Sequence, residues 1–396
     1  MKILYSLSHP GDSLNAQRAG HIVRANAILS GLASLGHEIV RVEAAKRKGT
    51  QVAVNTYRNI FKTYLPRPFA LKLRDAGRIL HGRRHARLLI EAVDVHKPDC
   101  ILETFLAFNL AGKIASESTG LPLVIDDVAP IWEEEQQYGV GLKGAAWHVY
   151  RQATDQASLL VAVNGTIRQH LLDQGLPNKK IVTVENGIDE GLFNQDVDGG
   201  GCRLRYGIGS DEVVVVFVGS FQPYHRVDLL IQAFARVVTQ KTVRLLLVGE
   251  GKYSDEARSV AADLGLGDKV VFTGRIPYEE VSSYMAAGDI AVMPATNEYG
   301  NPMKVYEYMA LGKAVVAPNQ ETITEIAEHN QTAYLFERES IEGLSRALQD
   351  LIEDSSLRKR LGEQAGKLAA RHTWHTRAVT MQQAIQSALS SRGRKQ

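Results

Sequence analysis

The feature that most constrains the fold is a rhythm of short runs that are apolar throughout instead of alternating. KILYSLS at the start, then DCILETF, LPLVIDDV and ASLLVAV, are separated by stretches of helix length. Such runs belong to strands buried on both faces, the property of a parallel sheet covered by helices. The opening fits: after KILYSLS comes a loop with Pro10 and Gly11, then QRAGHIVRANAILSGLASLGHEIVRV, where a helical apolar period stops at Gly36 and a second strand begins. This is a βαβ unit.

Between residues 186 and 212 the rhythm breaks into NGIDEGLFNQDVDGGGCRLRYGIGSDE, whose Gly and Asp content predicts a linker. It then restarts with EVVVVFVGS, VRLLLVGEG, KVVFTGR, DIAVMPA, KAVVAP and TAYLF, with helices predicted over Val227–Thr239 and Ser254–Leu264. Two successive doubly wound, Rossmann-like α/β domains are the simplest architecture, and 396 residues exceed what one core usually serves. Ligand is expected at the C-terminal edges of both sheets. Residues 1–187 form the expected first domain and 188–372 the second. A last amphipathic helix, WHTRAVTMQQAIQSALS within 373–396, can pack on its own domain or cross back to complete the first.

The apolar content of 44% and charged content of 23% are ordinary for a globular protein, and the formal charge is +2. The charge is uneven: from Arg41 to Arg87 there are thirteen Lys or Arg against Glu43 and Asp75, with Tyr57, Phe61, Tyr64 and Phe69 among them. That mixture makes either a solvated helical face or a surface for anionic headgroups. Nucleic acid is a poor partner for so modest a net charge with no recognition motif. Cys100 and Cys202 have no metal-like spacing and indicate no disulfide framework. The N-terminal apolar run is too short for a signal peptide, and no stretch approaches the roughly 20 apolar residues of a spanning helix. A cytoplasmic protein is expected, peripheral to the inner face of the plasma membrane if it meets a membrane at all.

Four loops of the second half run from strand into helix and offer main-chain N–H groups at a positive helix end. In VGSFQPYHRVDLL, Gly219 permits close approach, Ser220 offers a hydroxyl, and His225 and Arg226 supply donors or cations; the alternative is a plain strand-to-helix turn. LLLVGEGKYSD holds Gly249 and Gly251, half of a dinucleotide fingerprint, with Ser254 where the third glycine belongs and no acidic ribose reader after the next strand. In VVFTGRIPYEEV, Arg275 and Ile276 either frame a base edge or form a connecting turn. In EYGNPMKVYEYMALGKAVVAP, Asn301 and Pro302 start a helix, Met303 and Lys304 bring N–H groups and an ammonium, and Glu307 follows on the same face. A diphosphate on the amides with a ribose diol on the carboxylate would satisfy both charges; an exposed Glu paired with Lys is the bland alternative.

Taken together, NGID with Phe193, VGSFQPYHRVDLLIQAF, LLLVGEG, VVFTGRIPYEEVSSYMAAGDIAVMPA and NPMKVYEYMALGKAVVA resemble glycosyltransferase family 4 in order and spacing, across nearly the whole chain. LETFLAFNLAG and DDVAPIWEEEQQYG look like variants of a branch active on polysaccharide precursors and small aminocyclitol-type acceptors. The resemblance implies the GT-B fold, with two Rossmann-like domains facing a cleft and the C-terminal helix crossing back to the first. It also implies a retaining transferase with a nucleotide-sugar donor and no cofactor or catalytic metal. Carried over by position, Glu307 binds the ribose, Met303, Lys304 and Val305 present amides to the diphosphate, Arg275 and Ile276 frame the base, and Gly11 closes over the donor. Three departures stand out. Members commonly carry an arginine and a lysine in the first loop, where this chain has Ser220 and His225, so Arg226 or Lys304 must compensate. His225 would tie donor binding to pH near neutrality. The residue eight before Glu307 is Tyr299 instead of a glutamate, and Glu298 is one place off.

The candidate catalytic set is therefore His225, Arg226, Lys304 and Glu307, stabilising a leaving phosphate by preorganised electrostatics. The acceptor is expected against the first domain, near Asp12, Arg18, His21, Glu103, Asp127 and Glu134, polar residues at strand ends or in loops; Arg18 and His21 are equally readable as helix-start residues. UDP-glucose is the expected donor, as a common choice in the family. The expected acceptor is a saccharide or lipid-linked saccharide of exopolysaccharide or cell-envelope synthesis. Rival readings are a secondary-metabolite glycosyltransferase, a sugar-nucleotide epimerase, an NAD-dependent oxidoreductase, and a non-catalytic protein on the same fold.

Overall fold

The computed structural model describes residues 1–9, 13–14, 20–44, 66–128, 130–133, 135, 139–238 and 242–393. It divides into two units: Met1–Glu185 with Arg377–Gln396, and Asn186–Thr376.

The first unit is built on β1 (Lys2–Leu7), β2 (Glu38–Glu43), β3 (Cys100–Thr104), β4 (Leu123–Asp127), β5 (Leu159–Ala162) and β6 (Ile181–Thr183), in the order β2-β1-β3-β4-β5-β6. All pairings are parallel, with Ile3 opposite both Ile39 and Cys100. β3 and β4 are buried along their whole length, as runs without alternation require. The helix Gly20–Ser34 brings a buried Arg24 across the sheet, where its guanidinium forks onto Asp126 at 2.8 and 2.9 Å. The same group donates to the carbonyls of Val184 and Glu185 at 2.8 and 3.1 Å. One side chain thus ties a helix, β4 and the exit from β6. The C-terminal helix Trp374–Gly393 joins this unit from Arg377 onward, burying Ala378, Met381 and Ile385 and bonding Gln382 Oε1 to His37 Nε2 at 2.8 Å.

The helix Arg67–His96 turns Ala86, Leu89 and Val93 inward. Its outer side exposes Phe69, Leu73 and Leu80 together with Arg67, Lys72, Arg83, Arg84 and Arg87; of its acidic residues Asp75 is buried against Arg74, while Glu91 and Asp94 are exposed nearer the C-terminal end. Tyr57, Phe61 and Tyr64 lie outside the described residues. Among those described, no helix is long and apolar enough to cross a membrane.

The second unit carries β7 (Val213–Val218), β8 (Val243–Val248), β9 (Val270–Gly274), β10 (Ile290–Val292), β11 (Ala314–Pro318) and β12 (Tyr334–Phe336), in the order β12-β11-β10-β7-β8-β9 and again parallel. Successive residues of β7 feed different cores: Val214, Val216 and Val218 join one, Val215 and Phe217 the other. The helices Met303–Ala310 and Ser355–Ala369 cover the first face, and Val227–Ala235 and Ile341–Glu353 the second. The chain winds outward from β7 through β9, then returns to the other side of β7 with β10. The winding thus reverses at β7 and β10, the place where a doubly wound sheet is expected to take a ligand at its C-terminal strand ends.

The stretch 186–212 is a correction to the linker expectation. Ile188, Phe193, Cys202 and Ile208 are buried in the second unit's core, and Gly199 lies so close to the backbone of Ala286 and Ala287 that a Cβ has no room. Its glycines and aspartates serve tight turns on a folded segment. They do not make a free connector.

Removing one partner of a buried ion pair leaves the other uncompensated. Arg24→Met should therefore cost about 3–5 kcal/mol, seen as an earlier transition in urea unfolding, and adding Asp126→Leu should recover most of it.

Candidate active site

The crevice at β7 and β10 is shaped first by glycines. Gly249 has φ +119°, and a Cβ there would run into the Gly219 carbonyl oxygen. A Cβ on Gly251 would sit 2.6 and 2.7 Å from the oxygen and nitrogen of Phe221. The loops after β7 and β8 thus lie backbone on backbone, held by Gly219 N–H to Val248 O at 2.9 Å and Phe221 N–H to Glu250 O at 3.3 Å. Gly251 N–H is occupied by Ser254 Oγ at 2.8 Å. The half fingerprint is accounted for by this packing.

Into the space beside Gly219 comes Lys304. Its Nζ is the atom that a Cβ on Gly219 would meet, and it lies 5.0 Å from the centroid of the Phe217 ring. On its other side it donates to His225 Nε2 at 3.1 Å, while His225 Nδ1 donates to the Ser220 carbonyl at 2.5 Å. His225 is buried, and burial followed by the Lys304 charge lowers its pKa to about 3. The imidazole is therefore neutral across the physiological range, which corrects the expectation of a cationic, pH-titrating group.

The helix Met303–Ala310 starts at Pro302 without a side-chain cap. Val305 N–H turns back to the Pro302 carbonyl at 3.1 Å, so of the three amides expected to face a ligand, that of Val305 is engaged. Those of Met303 and Lys304 have no hydrogen bond among the described residues. Asn301 also differs from expectation. Its side-chain oxygen accepts from Asn186 N–H at 2.9 Å, its carbonyl from Asn186 Nδ2 at 2.6 Å, and its Nδ2 reaches Tyr306 Oη at 3.2 Å. It anchors the turn. The helix is fixed to the sheet by Val218 N–H donating to Tyr308 Oη at 2.9 Å.

One turn on stands Glu307. No hydrogen bond or ion pair reaches its carboxylate among the described residues. Burial raises its pKa to about 7, with Lys304 opposing, and burial lowers Lys304 to about 8, with Glu307 opposing. Tyr278 faces the same space: burial, then the charges of Glu307 and Asp189, push it up to about 12. Sequence reasoning missed Tyr278, although it lies two residues beyond Ile276. It also missed Asn297 Oδ1 and Gln320 Oε1, two buried acceptors without a hydrogen-bond partner among the described residues, in the segments that follow β10 and β11.

The remaining candidates divide. Arg226, at φ +45°, forks onto Asp228 at 2.9 and 3.0 Å, so its fork is occupied within the loop. Ser220 is exposed. Arg275 is also exposed and pairs with Glu250 at 3.1 Å, while Ile276 packs against the core. Glu298 pairs with Arg338 at 3.1 Å, and Tyr299 is buried with its hydroxyl bonded to Asn297 Nδ2 at 2.7 Å.

In the first unit Glu103 is wholly buried, accepting from Ser6 Oγ at 2.8 Å and from Gly112 N–H at 3.0 Å. Burial raises its pKa to about 7. It serves the start of the helix Ala111–Thr119, which differs from the expected place facing an acceptor. Asp127 is also buried. Its Oδ2 accepts from Tyr150 at 2.6 Å, its Oδ1 has no partner among the described residues, and burial raises its pKa to about 6. His21 is half-buried on the helix Gly20–Ser34. Gly11, Asp12, Arg18 and Glu134 lie outside the described residues.

The two parallel sheets covered by helices on both faces define a doubly wound, Rossmann-like α/β protein. Comparison with known proteins gives the family. The sequence model for "Glycosyltransferase Family 4" matches residues 20–192, and that for "Glycosyl transferases group 1" matches residues 203–368. The chain belongs to the family 4 type of glycosyltransferase. It is 29% identical over 220 residues to the N-acetyl-alpha-D-glucosaminyl L-malate synthase of Bacillus anthracis, covering 55% of this chain and 56% of that one. It is 27% identical over 301 residues to a D-inositol 3-phosphate glycosyltransferase of Acidothermus cellulolyticus, covering 71% and 65%. The matched part thus spans between half and two thirds of these relatives. The structure of HepE from Anabaena in complex with UDP-glucose aligns over 99% of this chain and all of that one, with a TM-score of 0.73 at 19% identity, a likeness of fold.

The carboxylate has a measurable effect on stability. With its folded pKa near 7 against an ordinary 4.5, Glu307 contributes stability below the lower value that is lost as pH rises through the higher. Glu307→Gln should therefore match the parent protein near pH 4 and exceed it by on the order of 2 kcal/mol near pH 8. Thermal unfolding of both proteins across pH checks this.

Proposed function

We propose that the chain is a retaining, metal-independent hexosyltransferase that takes its sugar from a nucleoside diphosphate, with UDP-glucose the first choice. It passes the sugar to a saccharide or lipid-linked saccharide in exopolysaccharide or cell-envelope glycan synthesis. The observation that carries this reading is Glu307, a carboxylate without a hydrogen bond among the described residues, one turn from two open N–H groups and an ammonium. A nucleoside diphosphate answers all of them, with oxygens on the amides and Lys304 and its ribose diol on Glu307. The printed names of the relatives support it: HepE is described with UDP and with UDP-glucose, and others are named for malate and inositol phosphate.

In this reading the second unit holds the donor and the first the acceptor. Breaking the bond from the anomeric carbon to phosphate leaves added negative charge on the diphosphate, which Lys304 and the Met303 and Lys304 amides stabilise. The acceptor hydroxyl attacks from the same face and gives its proton to the departing phosphate oxygen. Arg275, Ile276 and Tyr278 border the base. Asn297 Oδ1 and Gln320 Oε1 offer acceptors to sugar hydroxyls where an earlier glutamate is missing. In the first unit the half-buried His21 is the described residue kept for contact with the acceptor. The relatives named for malate and inositol phosphate favour a second reading in which the acceptor is small.

A thermal-shift panel of UDP, GDP, UDP-glucose, UDP-N-acetylglucosamine and GDP-mannose tests the donor. Ligand at a hundred times its Kd stabilises by about 2.7 kcal/mol, so a UDP series should raise the melting temperature and Glu307→Ala should abolish the rise. A panel in which no nucleoside diphosphate shifts the transition sinks the reading.

The outer side of Arg67–His96 supports contact with an anionic lipid surface, since Phe69, Leu73 and Leu80 stand among five exposed cations. The protein should co-sediment with vesicles containing phosphatidylglycerol and not with pure phosphatidylcholine, and Leu73→Glu with Arg83→Glu should release it.

A further inference from the structure

The residue that departs most from the family pattern, His225, is not idle. A carbonyl oxygen can only accept, so the contact with Ser220 requires the proton on His225 Nδ1 and leaves Nε2 as a bare acceptor. An ammonium can only donate, and Lys304 Nζ is the donor 3.1 Å away. The two contacts select one tautomer and one direction, from ammonium to imidazole to carbonyl. Two further features place the ammonium: the room left by the absent side chain of Gly219 and the face of Phe217.

We propose that His225 is a positioning residue whose neutral imidazole holds the Lys304 ammonium against Gly219, so that the cation of the loop after β7 is supplied from the helix Met303–Ala310. The assignment rests on the donor-site reading above, because it gives the positioned ammonium a diphosphate to meet. The low pKa of His225 agrees with it, since a protonated ring would place two cations in contact. Arg226, paired with Asp228, is not the substitute for the missing loop cation.

The test compares the Kd of UDP with that of uridine, by calorimetry, in the whole chain. Their ratio reads the diphosphate contribution apart from the base and ribose. Lys304→Met and His225→Leu should each weaken UDP by about tenfold or more, because hydrogen bonds to charged groups are the stronger kind, and leave uridine unchanged. His225→Gln, which keeps an acceptor oxygen, should stay within about threefold of the parent protein. Gly219→Ala, which moves the ammonium without removing it, should weaken UDP like His225→Leu. His225→Lys with Lys304→Met puts the ammonium back at the same place from the other side and should recover binding. Unchanged UDP affinity in His225→Leu, or a His225→Gln protein as weak as His225→Leu, overturns the positioning role while leaving the donor site standing. A parent protein that binds no nucleoside diphosphate overturns both.

Discussion

Two opposite charges one turn apart on a short helix, Lys304 and Glu307, sit where the protein favours neither. Each is pushed toward its neutral form by burial and drawn back by the other, and no hydrogen bond among the described residues relieves the carboxylate. An unliganded site of this kind is an unfavourable arrangement that a stable fold must absorb. The fold does so by fixing the helix at two points and engaging one amide of its first turn. Tyr308 is bonded to β7, Asn301 is locked to Asn186, and the Val305 amide is turned onto Pro302. With the helix anchored in this way, its Met303 and Lys304 amides keep one direction.

That direction is set by the sheet. In the second unit the chain winds away from β7 and comes back on its other side, so the segments that follow β7 and β10 are neighbours at the strand ends. The helix Met303–Ala310 follows the β10 loop, while His225 and Gly219 follow β7. The reversal of strand order is why residues seventy-nine positions apart, His225 and Lys304, can share a proton donor and acceptor. Glycine is required where the β7 and β8 loops touch, because a Cβ on Gly249 or Gly251 would displace main chain that has nowhere to go.

The strands were legible because both faces of each sheet are covered. Val214 and Val215 point to different cores, yet both must be apolar, so the run reads as a strand without alternation. The same double covering hides which polar residue at a strand end faces solvent. Glu103 and Asp127 read alike in sequence, both as candidates for an acceptor. Glu103 is directed under a helix start, and Asp127 onto Tyr150 with one oxygen left over. The stretch 186–212 was misread because Gly and Asp mark turns, and turns occur on folded segments as readily as in connectors. Phe193 and Cys202 were the contrary signal.

His225 was the harder case. Its position in the loop was legible, but its charge was not, because burial and a neighbouring ammonium decide protonation and neither appears in a local stretch of residues. Charge in this crevice is delivered by long-range pairing. The helix brings the ammonium, the loop brings an imidazole able only to accept, and Gly219 leaves the room. Lysine on a flexible stem would otherwise sample many positions, and restricting it costs up to about 2 kcal/mol of side-chain entropy. Holding Lys304 between a ring face and a single lone pair incurs that loss during folding, before any ligand arrives, which is how a site prepares for charge that develops only when a bond breaks.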